Sequence, residues 1–298
     1  IALERAVASD HIVVAAVPAA AGVGSWLSIL GYPVVGSALV LAASVGLVLF
    51  FVSLVARDPA LHHAVMTLGA AAWTVACVLL LLHSAAGSPG ISAMVPWWAS
   101  FLILTIAGER LELSRVLQPS GQTLAIFVVT LVALTGGFAL ELADVAWGRP
   151  AAAAGIVGLA VWLIVSDVAR RTAKAPGLTG YMGRTLLGGY VWLAAGGLLQ
   201  LVLGVTHAGP VYDAQWHAIF LGFVLMMIFA HAPVMLRAFT GWRVDHHPIL
   251  EAAPILLHLS LAIRLAADLL DAPTWRIAGG IGNAAAILLF AAILGTRI

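Results

Sequence analysis

Ten apolar runs, each about twenty residues long, follow one another along this chain with only short breaks between them, and no other feature limits its fold so strongly. They cover approximately residues 12–31, 36–56, 62–84, 93–113, 122–143, 151–171, 181–205, 214–240, 249–270 and 276–296. The breaks carry turn residues, as in Gly31-Tyr32-Pro33, Arg57-Asp58-Pro59, Gly87-Ser88-Pro89-Gly90, Gln118-Pro119-Ser120-Gly121, Lys174-Ala175-Pro176-Gly177 and His207-Ala208-Gly209-Pro210. A run of about twenty apolar residues spans about 30 Å of hydrocarbon as a helix. Lipid offers no hydrogen-bond partner to the backbone, so helices are required, and the runs lack the alternation of a membrane barrel strand. Charged residues make up 9% of the chain and hydrophobic ones 62%, against roughly 25% charged in soluble domains. The expected fold is an all-α polytopic transmembrane bundle of about ten spanning helices. It forms one membrane domain over residues 1–298, and the break near residue 175 offers sub-bundles 1–175 and 176–298.

Charge gives the expected orientation, because cytoplasmic loops accumulate Lys and Arg. Threading ten helices from an inside N-terminus gathers Arg5, Arg57, Arg110, Arg115, Arg170, Arg171, Lys174, Arg184, Arg237, Arg243 and Arg297 on one side. Arg149 and Arg276 fall on the other side, and Arg264 lies within a span. Both termini are therefore expected in the cytoplasm, with the chain in a bacterial inner membrane. The first run, lacking a cleavable-leader pattern, is expected to remain as a helix. Ile1 in place of a starting Met is what a piece of a longer protein would show. Trp26, Trp97, Trp98, Trp147, Trp216, Trp242 and Trp275 stand near span ends, where interfacial anchors are expected. With a net charge of +1 and dispersed basic residues, nucleic-acid binding is not expected. The lone Cys77 excludes an internal disulfide and any multi-cysteine metal site.

Ionisable groups inside lipid are costly, which directs attention to the histidines. His231 lies about ten residues before the turn from Gly241 to Pro248 and His258 about ten after it, which puts both about 15 Å deep on consecutive helices. Two such imidazoles facing each other could ligate haem iron or copper, or could simply bond to backbone and hydroxyl groups. His83, His207 and His217 fall at the outer ends of spans beside Tyr212 and Asp213. They form either a copper or haem site, with Asp213 orienting a ring, or a solvated set. His217 and His231 are fourteen residues apart, which in a regular helix leaves them about 21 Å apart and within about 40° of one face.

The remaining polar residues read more plainly. His62-His63 and His246-His247 belong to cytoplasmic turns and are expected in solvent. Arg264 and Asp268 are spaced for an intrahelical ion pair, with a haem propionate or quinone oxygen as the alternative use of Arg264. Glu109, Arg110, Glu112 and Arg115 read as a charged interfacial turn. Met226, Met227 and Met235 read as packing.

The stretch Trp216-His217-Ala218-Ile219-Phe220-Leu221-Gly222-Phe223, continuing through Ala230-His231 to Thr240-Gly241, resembles the NnrS family and related haem-copper-oxidase-like membrane proteins. The following Leu257-His258-Leu259-Ser260-Leu261-Ala262-Ile263-Arg264 is similar to the next helix of that group. The likeness covers the last third of the chain. It implies a polytopic protein that binds haem b and can take copper, connected with nitric oxide or respiration, with His217 as a ligand. Where several members carry a second His and a Glu, this chain has Ile219 and Phe220. The adjacent His-His pair that haem-copper oxidases place within a membrane helix has no counterpart here, since both His-His pairs are read at cytoplasmic turns, so oxygen reduction by this chain alone is not expected. The leading expectation is a haem protein that transfers electrons or handles a small gas, with His217, His231 and His258 as ligands. A permease with buried histidines and a cofactor-free subunit of a respiratory complex stay open, with the lipid bilayer and a redox partner or respiratory subunits as partners.

Overall fold

Residues 12–88, 90–204, 206–241 and 244–296 are described by a computed structural model. Among them every regular element is helical, and each apolar run coincides with a helical segment. The helices are α1 (Ile12–Ile29), α2 (Pro33–Arg57), α3 (Leu61–Ala86), α4 (Val95–Ser114), α5 (Gly121–Leu142) and α6 (Gly148–Ser166). After a short α7 (Ala169–Thr172) come α8 (Gly177–Leu203), α9 (Pro210–His217), α10 (Leu225–Thr240), α11 (Ala252–Leu269) and α12 (Pro273–Thr296). A π-helical segment, Ala218–Val224, joins α9 to α10 without a break. Nine helical segments among the described residues are long and apolar enough to cross a membrane, while the first contributes a shorter apolar stretch, Ala15–Ile29. Leu49, Val129, Val202 and Leu288 project outward with large exposed side chains, the surface that lipid covers. The chain is an integral membrane protein. Arg5, Trp242, Arg243 and Arg297 lie outside the described residues.

Contacts divide the chain into two units, Ile1–Leu113 and Ser114–Ile298. Lipid supplies no hydrophobic drive between helices, so close approach depends on small residues and interhelical hydrogen bonds. In the first unit, Gly24 meets the Gly36 carbonyl across α1 and α2, and the Ser37 and Ser84 hydroxyls bond at 2.8 Å across α2 and α3. Trp73 stacks on Phe101 at 5.2 Å between α3 and α4.

In the second unit α5 and α6 form an antiparallel pair whose backbones touch at Gly137, Gly148 and Gly155. A Cβ at Gly155 would stand 2.7 Å from the Thr130 carbonyl oxygen. Gly197 seats α8 against Ile156 and Val157 of α6, so helices on either side of residue 175 pack together. Gly222 of the π-helical segment rests on the Trp192 side chain of α8. Between α11 and α12, Gly282 rests on Ser260, whose hydroxyl donates to Asn283 Oδ1 at 2.7 Å. Gln215 donates to the Leu199 and Gly204 carbonyls, and the second of these, just past the end of α8, has no partner from that helix.

Two of the tryptophans expected as interfacial anchors are core residues. Trp97 and Trp216 are buried, whereas Trp26, Trp147 and Trp275 are exposed as anchors should be. Position near a span end does not separate the two uses, because a helix end has an inward face as well as an outward one.

Candidate functional site

The end of the second unit where α9 and α12 begin and α11 finishes concentrates charge. Asp268, wholly enclosed, lies 2.8 Å from Arg276 Nε and 3.9 Å from Arg264 Nε. Arg276 also donates to Asp213 Oδ2 at 2.5 Å, and Arg264 Nη2 is 3.9 Å from the same oxygen. Arg264 fits because Gly279 and Gly280 remove the side chains that would meet it. The expected Arg264–Asp268 pair is present, and it belongs to a four-member network closed from the next helix by Arg276. Two cations and two carboxylates on three helices balance locally, which offsets desolvation.

Arg149 forms a second centre. Its side chain is 2% exposed, donates to Glu141 Oε1 at 2.5 Å and to Gln200 Oε1 at 3.3 Å, and lies over the faces of Phe138 and Trp216. Arg149 Nε, Gln200 Nε2 and Trp216 Nε1 are buried donors with no acceptor among the described residues. Sequence reading placed Arg149 only as a charge on the outer side. The signal that could have found it was Glu141 on the facing side of a turn too short to separate the two.

The histidines differ in how their rings are held. His217 Nδ1 lies 2.7 Å from the Asp213 carbonyl and His231 Nδ1 2.8 Å from the Met227 carbonyl, each one turn back along the helix. A carbonyl only accepts, so in both residues Nδ1 carries the proton and Nε2 carries the lone pair. Asp213 orients the His217 ring through its backbone carbonyl, while its carboxylate pairs with Arg276. His258 is wired the opposite way: its Nδ1 accepts from Trp192 Nε1 at 2.7 Å, which places the proton of a neutral ring on Nε2. That nitrogen faces Gly188, where a Cβ would stand 2.6 Å away. Replacing Trp192 by Phe keeps an aromatic side chain but removes the donor and part of the packed indole; the expected cost is about 1–3 kcal/mol or more, read from denaturant midpoints in detergent.

The π-helical segment corrects the register between His217 and His231. A widened turn absorbs on the order of one extra residue, or about 100° of rotation, so fourteen residues no longer return to one face. The same feature marks the segment itself, since π-bulges gather at functional sites. Of the three histidines expected to converge at outer span ends, His83 belongs to α3 in the first unit, His207 is exposed on the turn before α9, and His217 closes α9.

His62 and His63 were expected in solvent and are buried, 2% and 3% exposed. The helix starts at Leu61, one residue before them, so they form its first turn and not the loop. Arg110, expected in an interfacial turn, is also buried because α4 continues to Ser114. A cavity of about 550 Å³ lies elsewhere, in the second unit, lined in part by Asp167, Arg170, Arg171 and Lys174.

A family model described as a domain of unknown function, DUF8744, matches residues 1–297. The chain belongs to the DUF8744 family. No curated protein matches this DUF8744 member, and no solved structure does.

Proposed function

We propose that this DUF8744 protein binds haem b in the membrane and uses it to transfer electrons or to handle a small gas such as nitric oxide. One observation carries the reading: His217 is held by its Nδ1 proton on the Asp213 carbonyl, the arrangement in which a histidine offers Nε2 to a metal. His231 is held in the same way, but about 21 Å of helix and the turned register separate it from His217, so it would serve a different group and not the same iron. The buried donors Arg149 Nε, Gln200 Nε2 and Trp216 Nε1 suit a carboxylate such as a haem propionate. Arg264, already engaged by two carboxylates, suits that role less well, and His258 would have to surrender the Trp192 bond to become a ligand.

Haem would supply one-electron chemistry or gas binding, and the helices would set its ligation, dielectric and access. Copper, shared by His217 of α9 and His207 on the turn before it, is the lesser part of the proposal. The threading proposed with it has ten crossings, both termini in the cytoplasm and a bacterial inner membrane, with a redox partner at one face. Protein purified from haem-replete cells is expected to show a Soret band and a sharpened α band on dithionite reduction, both lost in His217→Ala. Colourless, iron-free protein would contradict the reading.

A second reading, a permease relaying protons, is favoured by the Asp213–Arg276–Asp268–Arg264 network, which runs from the partly exposed Asp213 to the enclosed Asp268. It predicts colourless protein and pH-gradient dissipation in liposomes that Asp268→Asn abolishes. A coloured protein inert to pH gradients would remove it.

A further inference from the structure

We propose that Asp58, His62 and His63, with Glu112 as a fourth donor, form a binding site for a divalent transition-metal ion of the Zn2+ class, independent of the haem reading. The site is made where α2 ends, α3 begins and α4 passes, within the first unit.

One ligand atom from each of Asp58, His62 and His63 lies within 4.8 Å of the other two. The two imidazoles are tilted against each other with ring centres 4.1 Å apart. Neighbours on a helix point about 100° apart, so rings this close are turned toward a shared space. Carboxylates stand on either side: Asp58 Oδ2 is 3.7 Å from His63 Nδ1, and Glu112 Oε1 is 3.8 Å from His62 Nε2. Ligands at about 2.1 Å around a tetrahedral ion stand about 3.4 Å apart; His62 Nε2 and Glu112 Oε1, at 3.8 Å, are already near that spacing, and Asp58 and the His63 ring would have to turn their Oδ2 and Nε2 toward them.

The surrounding backbone supports such a site. The Asp58 carbonyl accepts from Ala60 N at 2.8 Å and from His63 Nδ1 at 2.9 Å, which ties the turn to the ring and leaves Nε2 as the ligating nitrogen of His63. Thr67 Oγ1 bonds the His63 carbonyl at 2.8 Å. On α4, Gly108 brings that helix against Met66 and the His62 carbonyl, which sets Glu112, one turn further on, beside the pair. Two imidazoles and two carboxylates make a borderline donor set, suited to Zn2+ and its neighbours and poorly suited to Mg2+ or Ca2+.

The test uses the full chain in detergent, stripped with chelator and titrated with Zn2+ followed by elemental analysis, and separately with Co2+ followed by visible absorbance. One saturable Zn2+ per chain is expected, together with d–d bands of four-coordinate Co2+. His62→Gln with His63→Gln abolishes saturable uptake, and Glu112→Gln weakens it. Asp58→Asn weakens it at least about tenfold. Should the double variant not fold, Asp58→Asn decides, since its side chain is 58% exposed and its replacement leaves the core intact. No saturable uptake, or unchanged affinity in Asp58→Asn, would overturn the site. Colourless protein that still takes up Zn2+ would sustain this site while removing the haem reading.

Discussion

Replacing Asp268 by Ala lowers the stability of the solubilised protein by about 3–5 kcal/mol. Its carboxylate has no exposure and lies between Arg264 and Arg276, which reach it from its own helix and from the next. Removing it leaves two guanidinium groups to share Asp213, which is one-third exposed and sits at the start of α9. The uncompensated cation, more than the lost attraction, sets the size of the effect. Asp268→Asn keeps the shape and an amide oxygen beside the two guanidinium groups, so it is expected to cost less than the alanine variant. Arg276→Met, which removes a cation in place of an anion, strands Asp268 and resembles Asp268→Ala. Denaturant titration in detergent, followed by tryptophan emission, reads all three. Equal stability of wild type and Asp268→Ala would mean that the network carries no structural load.

Gly155→Leu is the other large effect, expected at about 3 kcal/mol or more, because its neighbours are backbone atoms that no rotamer change can move aside. A Cβ at this position already stands 2.7 Å from the Thr130 carbonyl oxygen and 2.8 Å from Leu134 Cα. The α5–α6 pair must separate along its length, carrying Glu141 away from Arg149 at its far end. Gly136→Ala on α5 is the matched control. Nothing stands within 4 Å of the added methyl there, so only helix propensity acts, and a change between zero and a gain of about 1 kcal/mol is expected. Thermal unfolding of the two variants in one detergent separates packing from propensity.

The helices were legible because lipid forces length and apolarity on every crossing, and these are local properties of sequence. Whether a helix's first turn faces solvent or core was less legible, and it mattered most at His62 and His63. The turn Arg57-Asp58-Pro59-Ala60 was visible, but whether the next residues face solvent or core depends on which helices stand beside them. The Arg264–Asp268 pair was readable from its i, i+4 spacing, whereas Arg276 joins it from another helix, a relation no spacing encodes. The π-helical segment was invisible because Ala218-Ile219-Phe220-Leu221-Gly222-Phe223-Val224 has the composition of an ordinary α-helix. Its effect was to undo the register argument linking His217 to His231. The tautomers were hidden too: His217, His231 and His258 are one residue type in sequence, and only their partners distinguish the first two from the third.

The proposed threading assigns Asp213 and His217 to the outer face and His62 and His63 to the inner. The chain has a single cysteine, buried Cys77, so a Cys77→Ala background suits labelling with a membrane-impermeant maleimide. Single cysteines at Gly87 and at Pro176, in intact cells and in inverted vesicles, test the claim directly. The account predicts that position 87 labels from outside and position 176 only from inside; labelling of both from the same side would contradict it.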